Sequence, residues 1–111
     1  MMRLLLVENH RVFAETVRQQ FLSAHDTAIV ATIAAARRTL AGGAVDVVLV
    51  DYDLDDGKGD ELVRSLRASS FTGRIIGISA HQAGNDALVA AGADAVCAKG
   101  QFHLIGTFLT A

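Results

Sequence analysis

The chain of 111 residues contains no proline and no tryptophan, only one cysteine, and no apolar run near the roughly 20 residues that a bilayer crossing takes. The single cysteine, Cys97, excludes an internal disulfide and is typical of a reducing compartment. Only four apolar residues separate Arg3 from Glu8, which is too few for a signal peptide. We therefore expect a cytoplasmic protein that does not enter a membrane.

The charge of the chain is nearly balanced, with 10 Lys and Arg, 12 Asp and Glu, and a formal net charge of −2. A slightly negative surface does not favour general nucleic-acid binding. Hydrophobic residues make up 51% of the chain, which excludes disorder, but aromatic residues make up only 5%. The core is therefore mostly aliphatic, which suits helices layered closely on strands, and the length fits one domain.

Short apolar runs typical of strands alternate with segments of helical spacing. The strand-like runs are residues 4–7, 28–33, 45–50, 74–79 and 93–98. Helices are predicted at about 11–24, 34–40, 62–69 and 82–91, with a last short one at 102–105. The strands are continuously apolar, as in a parallel sheet covered on both faces. The sequence thus predicts an α/β fold, a doubly wound five-stranded parallel sheet with helices on both faces.

Polar side chains stand where four of these strands end. Glu8 and Asn9 follow the first strand, Asp51 the third, Ser79 closes the fourth and Lys99 follows the fifth. In a doubly wound sheet, ligands bind beyond the carboxyl ends of the strands. A polar residue at one strand end is unremarkable, but this combination at one edge indicates a site.

The combination suits a divalent cation and a phosphoryl group. Mg²⁺ binds oxygen ligands, usually one or two carboxylates, and keeps several waters. It would offset the charge on a phosphoryl group carried by one carboxylate, while a lysine and a hydroxyl hold the phosphoryl oxygens. Residues 51–61 contain six acids and one lysine, so negative charge is concentrated at the end of the third strand.

These features resemble the receiver domain of bacterial two-component response regulators, a flavodoxin-like, CheY-like fold. The resemblance spans essentially the whole chain and rests on four segments, LLLVENH, DVVLVDYDLDDGKGDEL, IIGISA and GADAVCAKG. Gly59, eight residues after Asp51, also matches the family's spacing. The resemblance implies that residues 1–111 are a single receiver domain, with no output domain in this chain.

The resemblance also implies a role for each site residue. Asp51 would be the phosphorylated aspartate, Ser79 the switch hydroxyl and Lys99 the phosphate-contacting lysine. Mg²⁺ would be held by Glu8, Asn9, Asp51 and the backbone carbonyl of Asp53. A histidine kinase or phosphotransfer protein would donate the phosphoryl group. The chain would not be an enzyme, apart from phosphotransfer to its own aspartate and autodephosphorylation.

The implied output is a change in a protein-binding surface on the fourth helix, fifth strand and fifth helix. The last predicted helix is apolar on more than one side, at Phe102, Leu104, Ile105, Phe108 and Leu109. Such a helix usually buries its second face. Homodimerisation through this surface and truncation from a longer protein both account for it, and the sequence does not decide between them. Neither nucleic acid nor membrane is expected as a partner.

Four positions depart from the family's pattern. Asn9 replaces a carboxylate that usually contacts the metal, and Val96 replaces an aromatic that moves with the switch hydroxyl. Asp55 and Gly100 stand where prolines are usual, and a cis bond before Gly100 would cost ~3 kcal/mol. An inward-turned Asp53 side chain would offset the missing charge. These departures leave open a pseudo-receiver, an interaction or dimerisation module that is never phosphorylated.

The segment DYDLDDG from Asp51 also resembles two other motifs. An EF-hand calcium loop needs glycine and glutamate where Asp56 and Leu62 stand, and it follows a helix instead of a strand. A haloacid-dehalogenase-type phosphatase would use Asp51 as nucleophile and Asp53 as general acid. Those enzymes carry the motif on their first strand and add later acids, which this chain lacks, so this alternative is the weaker one.

Two histidines lie close to the predicted site in sequence. His10 follows the acidic pair, and His81 lies two residues past Ser79. Receivers vary their phosphoryl lifetime at the second position, so the resemblance makes His81 a modulator, together with Val96 and Asp55. For both histidines, a solvated loop side chain is the simpler interpretation. Cys97 is expected to be a buried, inert thiol.

Overall fold

A computed structural model describes residues 1–110, so that only Ala111 of the predicted domain lies outside the described residues. Five strands form one parallel sheet in the order β2-β1-β3-β4-β5. They are β1 (Arg3–Val7), β2 (Asp26–Val30), β3 (Val47–Val50), β4 (Arg74–Gly77) and β5 (Ala95–Val96). The helices are α1 (Arg11–Phe21), α2 (Ile33–Ala41), α3 (Gly59–Ala68), α4 (Gln82–Ala91) and a 3₁₀ helix (Lys99–Thr107). The predicted doubly wound α/β fold is confirmed.

Side chains of the central strands alternate between two buried cores, one on each face of the sheet. Leu4 and Leu6 pack with residues of α1 and the 3₁₀ helix, whereas Leu5 and Val7 pack with residues of α2, α3 and α4. All four are at most 2% exposed. Because both faces are covered, every position of such a strand is apolar, and this explains the continuous apolar runs.

The second strand lies earlier in the chain than predicted, at Asp26–Val30 instead of 28–33. The apolar residue Ile33 belongs to α2, because the Thr32 side chain accepts a hydrogen bond from the backbone N–H of Ala35 at 3.0 Å and caps that helix. As an edge strand, β2 is only partly buried, so its polar start at Asp26 is tolerated.

Other boundaries also differ from the sequence-based prediction. Helix α1 ends at Phe21, and α3 already begins at Gly59. Strand β5 is reduced to two residues. A small antiparallel hairpin, Asp53–Leu54 with Gly57–Lys58, was not predicted. The second strand of the hairpin begins at Gly57, whose φ of +152° is a conformation that favours glycine.

The C-terminal 3₁₀ helix does not present a second apolar face. Phe102, Ile105 and Leu109 are buried in the core beneath α1, and Leu104 alone among the five apolar residues is exposed. The ring of Phe102 meets that of Phe13 edge-on, at 5.6 Å between centroids. The expectation that this helix needs a partner to cover it is therefore wrong, because its own domain covers it. No helix within residues 1–110 combines the length and apolar character of a membrane span.

Candidate functional site

The ends of β1 and β3 set two carboxylates side by side. The hydrogen-bond pattern of the sheet continues past both strands: the N–H of Glu8 donates to the carbonyl of Val30 at 2.9 Å, and the N–H of Asp51 to that of Val7 at 3.0 Å. Glu8 is 1% exposed and Asp51 5%. Their backbones are thus fixed by the central strands, and their acidic groups are held together in a largely buried setting.

Lys99 reaches both carboxylates from the start of the 3₁₀ helix. Its Nζ lies 2.6 Å from Glu8 Oε1 and 3.1 Å from Asp51 Oδ2. The same ammonium lies 4.9 Å from the ring centroid of Phe13, a cation–π distance. The structure therefore brings together the predicted residues Glu8, Asp51 and Lys99, and adds an aromatic ring on α1 that the sequence analysis did not single out.

Burial and charge shift the protonation equilibria of this cluster. Burial, followed by the negative charge of Glu8, raises the pKa of Asp51, although Lys99 and the Tyr52 N–H, 2.8 Å from Oδ1, favour the ionised form. Burial alone would lower the pKa of Lys99, but its bonds to the two carboxylates raise it on balance. Lys99 therefore remains an ammonium beside Asp51.

His10 is a site residue that the sequence analysis treated as a solvated loop side chain. Its ring is mostly exposed, but Nδ1 lies 3.2 Å from Glu8 Oε2 and 3.5 Å from Lys99 Nζ. The backbone N–H of His10 donates to the same Glu8 oxygen at 2.9 Å. The only feature of the sequence that could have indicated this role is the position of His10 directly after Glu8 and Asn9. A short turn there brings its side chain back to the end of β1.

The other acidic residues after β3 point to separate partners. Asp53 is ion-paired with Lys58 across the hairpin, so its side chain does not turn inward. Asp55 accepts a hydrogen bond from the Nδ2 group of Asn9 at 3.0 Å. Asp51 is bonded to Lys99. The three acids of the motif therefore do not converge on one point, as the ligands of an EF-hand calcium ion must. An outward Asp53 side chain is likewise not placed as the general acid of a phosphatase.

Asp56, which the sequence analysis did not use, ties the loop after β3 to α2. Its two carboxylate oxygens accept the backbone N–H groups of Ile33 at 2.8 Å and Ala34 at 3.0 Å. These bonds lower the pKa of Asp56. Two N–H groups at the start of a helix otherwise lack partners, so this carboxylate fixes the loop that follows Asp51.

Ser79 lies at the end of β4 but is not bonded to the charged cluster. Its Oγ accepts the backbone N–H of His81 at 3.1 Å. Asn85 of α4 holds the Ser79 backbone on both sides, accepting its N–H at 2.9 Å and donating to its carbonyl at 3.0 Å. The His81 side chain is exposed and caps nothing. Asn85 is a further residue that sequence reasoning missed.

Gly59 and Gly84 allow close packing around the site. The N–H of Gly59 donates to the carbonyl of Tyr52 at 2.6 Å, and a Cβ at Gly59 would overlap the backbone oxygen of Asp51. A Cβ at Gly84 would lie 2.6 Å from Ser79 Oγ. Glycine at these positions lets α3 and α4 begin directly against the residues that end the strands.

The remaining predicted residues lie beside the cluster. Val96 is half-buried in β5 opposite Gly77. All described peptide bonds are trans, including the bond before Gly100, and a Cβ there would meet nothing within 4 Å. Cys97 is buried, and burial raises the pKa of its thiol, which agrees with an unreactive cysteine.

The donor set fits a divalent cation. Glu8 and Asp51 carry two negative charges against the single positive charge of Lys99. The Oδ1 atom of Asn9 is buried and has no hydrogen-bond partner, so it is free to coordinate. A cavity of about 310 Å³ borders Glu8 and Asn9 on the side of Arg11 and Ile29, and neither Asp51 nor Lys99 lines it. Another cavity of about 290 Å³ lies at the opposite end of the sheet, by Arg3, and contains none of the predicted site residues.

Comparisons with known proteins agree with this fold. A family model of the response regulator receiver domain matches residues 4–100. No curated protein is significantly similar in sequence. The receiver domain of a Francisella response regulator superposes with a TM-score of 0.83 at 16% identity, over 98% of this chain and 96% of that one.

Two further solved structures are similar. The receiver domain of the response regulator TorR of a TMAO respiratory system has a TM-score of 0.79 at 25% identity, over 89% of this chain and 84% of its own. The response regulator TrrA of Thermotoga maritima, solved in complex with Mg²⁺ and BeF, has a TM-score of 0.78 at 20% identity, over 86% and 84%.

Proposed function

Because this chain belongs to the response regulator receiver domain family, we propose that it is a phosphoacceptor, modified on Asp51 by a histidine kinase or phosphotransfer protein. The observation that carries the proposal is the contact of Lys99 Nζ with both Asp51 Oδ2, at 3.1 Å, and Glu8 Oε1, at 2.6 Å. A lysine beside a buried aspartate at the carboxyl end of a sheet is better explained by a site that carries an acyl phosphate than by an ion pair that only stabilises the fold.

The proposed reaction is a transfer between two nucleophiles. The Asp51 carboxylate attacks the phosphorus of a phosphohistidine, the P–N bond breaks as the O–P bond forms, and the donor imidazole leaves with the electron pair. Lys99 favours the ionised form of Asp51 before transfer and then offsets the charge of the phosphoryl oxygens. The N–H of Tyr52, 2.8 Å from Oδ1, orients the carboxylate.

A bound Mg²⁺ would supply charge compensation between the carboxylates and the phosphoryl oxygens. The residues that would hold it are Glu8, Asp51 and the buried Oδ1 of Asn9, with the backbone carbonyl of Asp53 as the family resemblance implies. Asn9 contributes no formal charge, so its oxygen would coordinate more weakly than the carboxylate usual in the family. Its bond to Asp55 orients Nδ2 away and leaves Oδ1 for the cation.

Signal output would come from the segments that end at the site. Ser79 precedes the loop into α4, and Lys99 begins the 3₁₀ helix. A phosphoryl group on Asp51 that contacts these two residues would therefore shift the positions of both segments. We propose that the surface on α4, β5 and the 3₁₀ helix changes its affinity for a partner protein or a second copy of the chain. The chain then acts as a single receiver domain in a bacterial cytoplasm, with no catalysis beyond its own phosphorylation and dephosphorylation.

The proposal is tested with beryllofluoride, which mimics a phosphoryl group on aspartate. We expect beryllofluoride and Mg²⁺ together to shift backbone amide resonances at Asp51, Ser79 and Lys99 in wild type. Asp51→Asn should abolish the shifts, and Asp26→Asn, at the opposite end of the sheet, should retain them.

A wild-type protein that gives no shift, or an Asp51→Asn variant that shifts like wild type, contradicts phosphorylation at this site. The first outcome would favour the pseudo-receiver, an interaction module that uses the same fold without a phosphoryl group.

A further inference from the structure

The ammonium of Lys99 has a third neighbour besides Glu8 and Asp51, the aromatic ring of Phe13 on α1. Its Nζ lies over this ring, 4.9 Å from the centroid, and the lysine side chain is only 15% exposed. A cation over an aromatic ring is attracted by the negative charge of the ring face, and the attraction is stronger where water is excluded. The proposed phosphoryl transfer assigns no role to this ring.

The ring of Phe13 is fixed by other aromatic residues. It meets the ring of Phe102 edge-on, with an interplanar angle of 88°, and Phe21 also lies against Phe102, at 6.1 Å between centroids. Phe102 is 2% exposed and belongs to the 3₁₀ helix that Lys99 begins. The aromatic face and the lysine are therefore held in one packed unit between α1 and the 3₁₀ helix, and the ring is in place before a phosphoryl group arrives.

We propose that Phe13 is a positioning residue for the phosphoryl transfer, and that its ring holds the Lys99 ammonium within reach of Asp51. This role rests on the proposed phosphorylation of Asp51 and acts entirely through Lys99. A lysine has a flexible four-carbon stem and a strongly hydrated ammonium, so without a fixed contact it extends readily into solvent. A charge that is held in place before the reaction stabilises the transition state better than a charge that must first be oriented.

The ring supplies a contact that the reaction does not alter. Phosphorylation converts the Asp51 carboxylate into an acyl phosphate, so the bond of Lys99 to Oδ2 is exchanged for bonds to phosphoryl oxygens. Glu8 is one of the residues that would hold Mg²⁺, so its charge is shared between two cations. Phe13 is uncharged and binds neither the phosphoryl group nor the metal, and it therefore holds the ammonium equally before and after the transfer.

The test separates the charge distribution of the ring from its bulk. Initial rates of Asp51 phosphorylation by acetyl phosphate and Mg²⁺ are measured by mass spectrometry. We expect Phe13→Tyr to react like wild type, because its ring keeps the negative face, and Phe13→Leu to react about three- to tenfold more slowly. Trifluorophenylalanine in place of Phe13 should slow the reaction similarly, since fluorine withdraws charge from the face of a ring of nearly the same shape.

Trifluorophenylalanine in place of Phe102 is the matched control. It alters the same aromatic pair, but among residues 1–110 no ammonium lies over the Phe102 ring, so the rate should stay near that of wild type. The proton resonances of the Lys99 side chain give a second measurement that needs no phosphoryl group. The ring current of Phe13 should shift them upfield in wild type, and Phe13→Leu should remove that shift.

Two results would overturn the inference. One is a wild-type rate both in Phe13→Leu and with trifluorophenylalanine in place of Phe13. The other is equal slowing by trifluorophenylalanine at positions 13 and 102, which would assign the effect to packing. A wild-type protein that accepts no phosphoryl group contradicts the proposed function instead, and the lysine resonances then still report whether the ring holds the ammonium.

Discussion

At the scale of single residues, the site depends on one ammonium shared by two buried acids. Lys99 lies 2.6 Å from Glu8 and 3.1 Å from Asp51, and among residues 1–110 no other lysine or arginine is paired with either acid. Sequence spacing predicted this group, because residues that end parallel strands meet at one edge. It did not predict His10, Asn85 or Asp56, whose partners are reached through turns that leave no periodic pattern.

The raised pKa of Asp51 predicts how stability depends on pH. An acid whose pKa is higher in the folded state stabilises the fold below its unfolded pKa, and that contribution is lost as pH rises through the folded pKa. Ionised Asp51 therefore costs stability at neutral pH. We expect Asp51→Asn to have a higher urea midpoint than wild type at pH 7, and the gain to shrink as the acid range is approached.

The exposed Asp26→Asn serves as the control for this measurement. The exposed Asp26 side chain pairs with the exposed Arg3, at 3.8 Å, so no buried charge is removed by the change. Its urea midpoint should show no comparable gain at pH 7. An Asp51→Asn variant less stable than wild type at pH 7 would mean that the bond with Lys99 outweighs burial, contrary to our account.

At the scale of elements, the central strands were predictable and the edges were not. The runs that became β1 and β3 are buried on both faces, so their composition alone marks them. Strand β2 is an edge strand. The apolar run that predicted it continues to Ile33, but Thr32 caps α2, so Ile33 already belongs to that helix. The strands of the hairpin have two residues each, which is too short for an alternating apolar pattern to be recognised. The Asp-Asp-Gly sequence before Lys58 was the one indication of a turn.

The C-terminal 3₁₀ helix gives the clearest element-scale prediction. Phe102 is 2% exposed beneath α1, and Leu104 is 42% exposed on the same helix. We expect Phe102→Ala to lower the free energy of unfolding by about 3–5 kcal/mol through loss of buried contacts. Leu104→Ala should change it by less than about 0.5 kcal/mol.

Chemical denaturation measures both changes. If Phe102→Ala leaves too little folded protein, Phe102→Leu provides a milder change, expected to cost about 1–2 kcal/mol. Equal effects of the Phe102 and Leu104 substitutions would contradict the burial pattern and restore the idea that the outer face of this helix is covered in solution.

At the scale of the whole molecule, the parallel sheet joins the amino-terminal, central and carboxyl-terminal thirds of the chain at one site. Glu8, Asp51 and Lys99 are separated by more than forty residues at each step and meet because β1, β3, β4 and β5 are neighbours in the sheet. Fold and family follow directly from the sequence pattern. The contacts of His10 with Glu8 and Lys99 depend on side-chain placement, which spacing alone does not determine.

The central claim, that Asp51 accepts a phosphoryl group, is tested most directly by intact-protein mass spectrometry. Wild type and Asp51→Asn are incubated with acetyl phosphate and Mg²⁺, and the modified site is located in peptides. We predict that wild type gains the mass of one phosphoryl group on the peptide that contains Asp51, and that Asp51→Asn gains none. A wild-type protein that stays unmodified, or an Asp51→Asn variant modified to the same extent, would contradict the account.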